Sequence, residues 1–383
     1  MKLEGVRVLD LTQFLPGPHL TMTMADHGAD VIKVEAPRGG DPGREIGLKQ
    51  DGETVFFRNT NRGKRSVALD LKSESGQHTL QQLIDWADVL VESFRPGVAD
   101  RLGFGADAVR ARNPRIVYCS IAAFGQTGPY RDVPAHDLAI EALSGAVSVN
   151  VGSDHQPTMP GIPAADMAAS LMALSAILMA LLRRTTTGLG DRIDLSMHDA
   201  LVAWLPNVLG PVFVEQRAPV PHHERTWGGS AFYHLYETAD ARHIVLGAQE
   251  IKFVRTLLGE FGRSDLVPLC EQGPGPHQQP VIEFLQSTFL TRTRAEWVDW
   301  FQGRDVSFAP VNNLLEAIDD PQVAARSMVL TDANSHRHLG VPIKFSDEPA
   351  RPKLEIPSLD EHGAEVRLEL ARRVAASAVP TQS

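Results

Sequence analysis

A chain of 383 residues has room for two domains, or for one domain carrying a large insertion. Its formal net charge of −10 argues against general nucleic-acid binding, which needs a basic footprint, but allows a local basic pocket for an anionic ligand. Its two cysteines, Cys119 and Cys270, give neither a disulfide framework nor metal spacing, so no metal site is expected and the thiols read as those of a reduced cytoplasmic protein.

The opening residues, Met1 to Val8, alternate like a strand rather than a secretion signal. Residues 6–11 read as a short buried strand. Pro16-Gly17-Pro18 breaks it, and residues 19–27 read as a helix closed by Gly28. Residues 30–35 form a second strand, which completes a strand–helix–strand unit. The pattern repeats with strands at 66–71, 89–92 and 115–120 and a helix at 74–86. Alternation of this kind predicts a parallel sheet covered by helices on both faces. Residues 167–182 form the longest apolar run, broken only by Ser170 and Ser175, and end in Arg183-Arg184. That length is short for a membrane span, so a buried core helix is expected and no membrane partner. Residues 192–196 read as one more strand.

The texture changes after Val214. Residues 219–229 read as a linker, 232–247 as a hairpin turning near Asp240, and 253–262 and 293–301 as helices. This gives an α/β large domain over 1–214, then a linker and small α+β domain over 215–330. The proline-dotted segment 331–383 is expected to return to the large domain and close it with a helix at 362–376.

Several groups stand where chemistry could occur. The loop Phe124-Gly125-Gln126-Thr127-Gly128-Pro129-Tyr130 leads into His136-Asp137, and loops are where functional groups concentrate. Asp166 opens the apolar helix. An aspartate there ordinarily caps the helix, but it can also serve as base or nucleophile. A histidine and a carboxylate brought to one cavity form a pair able to move protons near neutral pH. Glu250 ends a strand running into a helix. It reads either as a dipole-stabilised acid or as a carboxylate orienting an imidazole. The cations Lys64, Arg65, Lys72, Arg95 and Arg101 fall near predicted strand ends, where a parallel sheet presents groups to phosphates. No Gly-x-Gly-x-x-Gly or Walker pattern follows the first strand, which disfavours a dinucleotide or nucleoside-triphosphate site. His222-His223 lacks a partner at metal spacing.

Five segments together resemble one family over nearly the whole chain: GVRVLDL at 5–11, GADVIKVE at 28–35, NRGKRSVALDLK at 61–72, ADVLVESFRPG at 87–97 and FGQTGP at 124–129. The chain is identified from them as resembling the class III CoA-transferases, a family that includes α-methylacyl-CoA racemases. The resemblance implies a Rossmann-like, CoA-binding large domain, a smaller α+β domain and a homodimer of interlocked subunits. In the transferases the aspartate matching Asp166 attacks an acyl-CoA and passes through anhydride and thioester intermediates. In the racemases it shares acid/base work with a histidine. His136-Asp137, Glu250 at the end of Gly247-Ala248-Gln249-Glu250, and Leu15 before Pro16 look closest to the racemase-like branch. The resemblance implies His136 and Asp166 as catalytic groups with Glu250 holding His136. Leu71, Lys72, Arg95 and Arg101 would bind coenzyme A, and Asp137 would lie beside the thioester. Ala36 replaces a CoA-binding arginine that Arg38 could supply. The expected activity is therefore epimerisation of a 2-methylacyl-CoA at its α-carbon, the alternative being CoA transfer between carboxylic acids on Asp166. No cofactor is expected beyond the coenzyme A of an acyl-CoA substrate.

Overall fold

The computed structural model describes residues 1–152 and 154–377. The chain divides into two units. One comprises residues 1–144, 161–204 and 321 onward; the other comprises 145–160 and 205–320. The chain thus changes unit at 204/205 and 320/321, with an excursion at 145–160, beside boundaries expected after 214 and 330.

The first unit is built on six parallel strands: β1 (Arg7–Leu11), β2 (Asp30–Glu35), β3 (Arg65–Ala68), β4 (Val89–Glu92), β5 (Val117–Ala122) and β6 (Arg192–Ser196). Their order is β3-β2-β1-β4-β5-β6, the doubly wound Rossmann order. Leu9 pairs with Ile32 on one side and Leu90 on the other, and all three are fully buried. A strand covered on both faces needs apolar residues at successive positions, which is why these segments read as runs rather than alternations. The order reverses between β1 and β4, so their carboxyl ends open the crevice where ligands bind in such sheets.

The helices include α1 (Pro16–Asp26), α2 (Val55–Asn61), α3 (Glu74–Trp86), α4 (Asp137–Leu143) and α5 (Ala164–Thr187). Helix α1 starts three residues before the expected position because proline needs no amide partner at a first helical turn. The strand expected at 115–120 sits two residues later, since Ile116 N–H is spent on a turn to the Asn113 carbonyl. Strand β3 ends at Ala68, and the Asp70 carbonyl begins the turn into α3 by accepting from Ser73 N–H. Helix α5 corrects the expectation of a buried core helix. Ala165, Ala169, Ala173 and Ile177 are fully buried, whereas Leu171, Met172, Leu178, Met179 and Leu182 are exposed in the single chain. By length and composition α5 could cross a membrane, and under half of its most apolar stretch is buried.

In the second unit, β7 (Tyr233–Glu237) and β8 (His243–Gly247) form the expected hairpin. A third antiparallel strand, β9 (Phe308–Pro310), extends it and was not foreseen; at three residues it carries too little pattern. Tyr236, Phe289, Trp297 and Phe301 fill this core among α6 (Ile251–Glu260), α7 (Gln279–Phe289) and α8 (Arg294–Phe301). The final helix, α9 (Gly363–Ser377), places Val366 and Leu370 in the core of the first unit, as the sequence suggested.

The loop after β1 is fixed by buried charge. Asp10 and Lys64 are both fully buried and pair at 3.0 Å; Lys33 pairs with Asp41 at 2.8 Å and donates to the Thr12 carbonyl at 2.9 Å. Burial opposes ionisation of Asp10, but Lys64, Lys33 and the hydroxyls of Thr12 and Thr21 outweigh it and hold the carboxyl far below its usual range. Removing one member strands the others in a dry interior. Asp10→Ala is expected to cost about 3–5 kcal/mol in urea-unfolding stability; a loss under about 1 kcal/mol would show that water reaches the cluster.

Candidate active site

Asp166 lies in the first turn of α5 but does not cap it. The open amides of that turn are taken by carboxylates from α4. Asp137 Oδ1 accepts from Asp166 N–H at 3.0 Å, and Glu141 Oε1 accepts from Ala164 N–H at 2.9 Å. The Asp166 carboxyl is therefore released from capping, and no protein donor holds it among the described residues. Partial burial, then the negative charge of Asp137 and Glu141, push it up to about 7. Glu141 is raised as well, by burial and by its contact with Asp137. Asp137 and Glu141 stand one turn apart on α4, which brings two acids together on one face.

His136 immediately precedes α4 and is exposed. Its imidazole makes no hydrogen bond among the described residues. Its ring meets Phe14 edge-on, with centroids 5.8 Å apart. Phe14 is held in the left-handed region (φ 66°), where its N–H donates to Asp41 Oδ1 at 3.3 Å. The buried charges beneath the β1 loop thus set the aromatic wall against which His136 rests. One turn beyond Asp166, Ser170 Oγ lies 2.8 Å from His19 Nδ1 on α1. Burial, with Lys64 and Arg62 nearby, lowers the basicity of His19.

The first unit thus brings His136, Asp137 and Asp166 together in one place. Leu71 and Lys72 follow β3, while Arg95 and Arg101 follow β4, at the carboxyl edge of the sheet. Lys72, Arg95 and Arg101 are exposed, and among the described residues none of these side chains forms an ion pair. Ala36 and Arg38 follow β2 and are also exposed. Glu250 belongs to the second unit, where it stands exposed at the start of α6 with no side-chain cap bond. Sequence reasoning missed Glu141 and Phe14. The Asp137/Glu141 spacing was available once a helix was drawn at 137; Phe14 carries no signal short of the folded loop. No group of three or more histidines, cysteines, aspartates or glutamates among the described residues is placed to hold a metal ion.

Ionisation of Asp166 costs the fold nothing well below its ordinary value near 3.8, and the full amount above about pH 7, so wild-type stability falls across that window. Asp166→Asn should remove the penalty. Its urea-unfolding free energy should lie near wild type at pH 4 and exceed it at pH 8 by on the order of 1–2 kcal/mol, discounted for the partly exposed site. Equal free energies at both pH values would contradict the crowding.

Known proteins bear on this arrangement. The family model for CoA-transferase family III matches residues 3–363. The succinate–glutarate CoA-transferase of Agrobacterium fabrum is 32% identical, with 96% of this chain and 95% of that protein covered. The acetyl-CoA:oxalate CoA-transferase of Acetobacter aceti is also 32% identical over the same shares. Among solved structures, a CAIB/BAIF family protein from Brucella suis superposes with a TM-score of 0.82 at 30% identity, covering 96% of this chain and 99% of the other. With a Rossmann-ordered sheet, an uncapped aspartate at the head of α5 and a family match running almost end to end, this chain belongs to the CoA-transferase family III.

Proposed function

We propose that the protein transfers coenzyme A between carboxylic acids, with Asp166 as the nucleophile. The observation that carries this is the crowded, uncapped Asp166 carboxylate. Relatives named for exchange among succinate, glutarate and oxalate support the choice of short dicarboxylic acids as substrates. The epimerase expectation gives way to its alternative here, because these relatives are named as transferases.

The chemistry closes without net proton transfer. Asp166 carboxylate attacks the acyl-CoA carbonyl, the C–S bond breaks, and CoA leaves as thiolate. The thiolate then attacks the Asp166 carbonyl of the mixed anhydride, freeing the donor acid as a carboxylate and leaving an Asp166 thioester. The acceptor carboxylate attacks that thioester and repeats the exchange in reverse order, which restores Asp166. A carboxylate lifted to about 7 is more basic than an ordinary aspartate and correspondingly more nucleophilic, while remaining largely ionised in mildly alkaline solution. His136 supports the thioester against the Phe14 wall, and the cations Lys72, Arg95 and Arg101 meet the coenzyme phosphates. The exposed apolar stripe of α5 supports the expected homodimer, since a second copy would cover it.

Asp166→Ala should lower kcat/KM for CoA transfer from succinyl-CoA at least about 10³-fold, as loss of a covalent nucleophile does. In wild type kcat/KM should rise with pH through about 7 and then level, because the ionised form attacks. Under transfer His136→Ala should cost far less than Asp166→Ala. Under epimerisation both should cost about 10²–10⁴-fold, and a 2-methylacyl-CoA would lose its α-proton in deuterium oxide. Deuterium uptake with no transfer activity would reinstate the epimerase. Met179→Glu on the α5 stripe should shift the native mass from dimer toward monomer; an unchanged dimer would place the interface elsewhere.

A further inference from the structure

Glu92 is a buried carboxyl with no part in the transfer chemistry. It ends β4 and is 3% exposed. Its two oxygens reach different loops. Oε2 accepts from Phe94 N–H at 2.8 Å, within the loop that carries Arg95 and Gly97. Oε1 accepts from the Ser120 hydroxyl on β5. Ser120 Oγ in turn accepts from Gln126 Nε2 at 2.9 Å, and the main-chain carbonyl of Gln126 accepts from Arg131 Nε at 3.1 Å. The main-chain N–H of Gln126 is pinned from the other side, donating to both Asp194 oxygens on β6 at 3.0 and 3.2 Å. These contacts link a buried acid, through the side chain and then the main chain of Gln126, to a guanidinium at the rim.

That guanidinium has a counterpart. Gly97 adopts φ 79°, and a Cβ added there would lie 3.4 Å from both Arg101 Nη1 and Arg131 Nη2. Two like charges therefore flank one glycine. Arg131 Nη1 is paired with Asp132 at 3.0 Å, but Nη2 and the whole Arg101 side chain have no hydrogen-bond partner among the described residues. Arg95, two residues before Gly97, is likewise unpaired among the described residues. Beside Gly97 a small cavity is lined by Arg95 and Arg192 and by the carboxyls of Glu92 and Asp100. Converging guanidinium forks with open N–H groups match an anion of phosphate geometry.

We propose that Arg131 is a further ligand for a phosphate of the coenzyme, facing Arg101 across Gly97, and that Glu92 is the positioning residue that sets it through Ser120 and Gln126. The inference rests on the CoA-binding reading above. Burial, helped by Asp100, lifts the Glu92 carboxyl to about 7, so a glutamine of the same shape can replace its protonated form and keep both loop contacts.

The test is calorimetric titration of the full-length protein with free coenzyme A, read beside steady-state transfer kinetics. Arg131→Ala should raise Kd on the order of tenfold, the scale of one charge-assisted contact. Gln126→Ala, which keeps the main-chain carbonyl that holds Arg131 but cuts the link from residue 126 to Ser120, should raise Kd about threefold. Glu92→Gln should stay within about twofold of wild type, whereas Glu92→Ala should match or exceed Gln126→Ala. If Glu92→Ala does not fold, the Gln126 and Arg131 variants decide alone. The losses should appear in Kd and KM rather than in kcat, because nothing in the chain touches Asp166. Wild-type Kd in both Arg131→Ala and Gln126→Ala would overturn the proposal, and so would a fall in kcat with Kd unchanged. A wild-type protein that binds no coenzyme A would instead overturn the CoA reading, and this proposal with it.

Discussion

The first turn of α5 must have its amides satisfied, and the chain does this with side chains from a different helix. Asp137 and Glu141 reach across from α4 and accept those amide hydrogens. This one arrangement has three consequences. It docks α4 on α5 without a capping serine or threonine. It frees Asp166 from the task an aspartate at a helix start usually performs. It also places two negative charges beside a third carboxyl, which resists ionisation until about pH 7. The helix start is thus stabilised by the same contacts that make its aspartate hard to ionise, a conflict of the kind expected at functional sites.

The frame beneath is a sheet whose strand order reverses between β1 and β4. The loops leaving that edge after β1, β4 and β5 are tied by polar side chains. The β1 loop rests on the Asp10–Lys64 and Lys33–Asp41 pairs and ends by aiming Phe14 at His136. Across the switch point, Gln13 N–H donates to Ser93 Oγ, which joins the β1 loop to the β4 loop. Glu92 and Ser120 then join the β4 loop to the segment leaving β5. The loops at this edge come from segments more than a hundred residues apart in the chain, and these side-chain ties relate them. Buried charge of this kind contributes little net stability, but it strongly disfavours other loop arrangements.

Much of the frame was legible in the sequence. Strands 30–35, 89–92 and 192–196 and helix 74–86 fall on the residues their apolar patterns mark. His136, Asp137 and Asp166 stood out as candidates because their loop and helix-start contexts set them apart. What stayed hidden depends on long-range contact. That Asp166 is not a cap follows only from the position of α4, a seven-residue helix too short to announce itself. The exposed stripe of α5 is invisible to hydropathy, which registers the apolar side chains but not which of them this chain leaves uncovered. The Glu92 chain joins residues 28, 6 and 5 positions apart and has no periodic signature. The choice between transfer and epimerisation turned on family context rather than on residue pattern, since both chemistries use the same aspartate.

The most direct test of the central claim is chemical capture of Asp166 during turnover. The full-length protein would be incubated with succinyl-CoA, quenched with hydroxylamine, digested, and the peptide containing residue 166 examined by mass spectrometry. Covalent catalysis predicts a hydroxamate on Asp166, formed only when the CoA donor is present and absent from Asp137 and Glu141. An unmodified Asp166 in protein that is actively exchanging CoA would contradict the account.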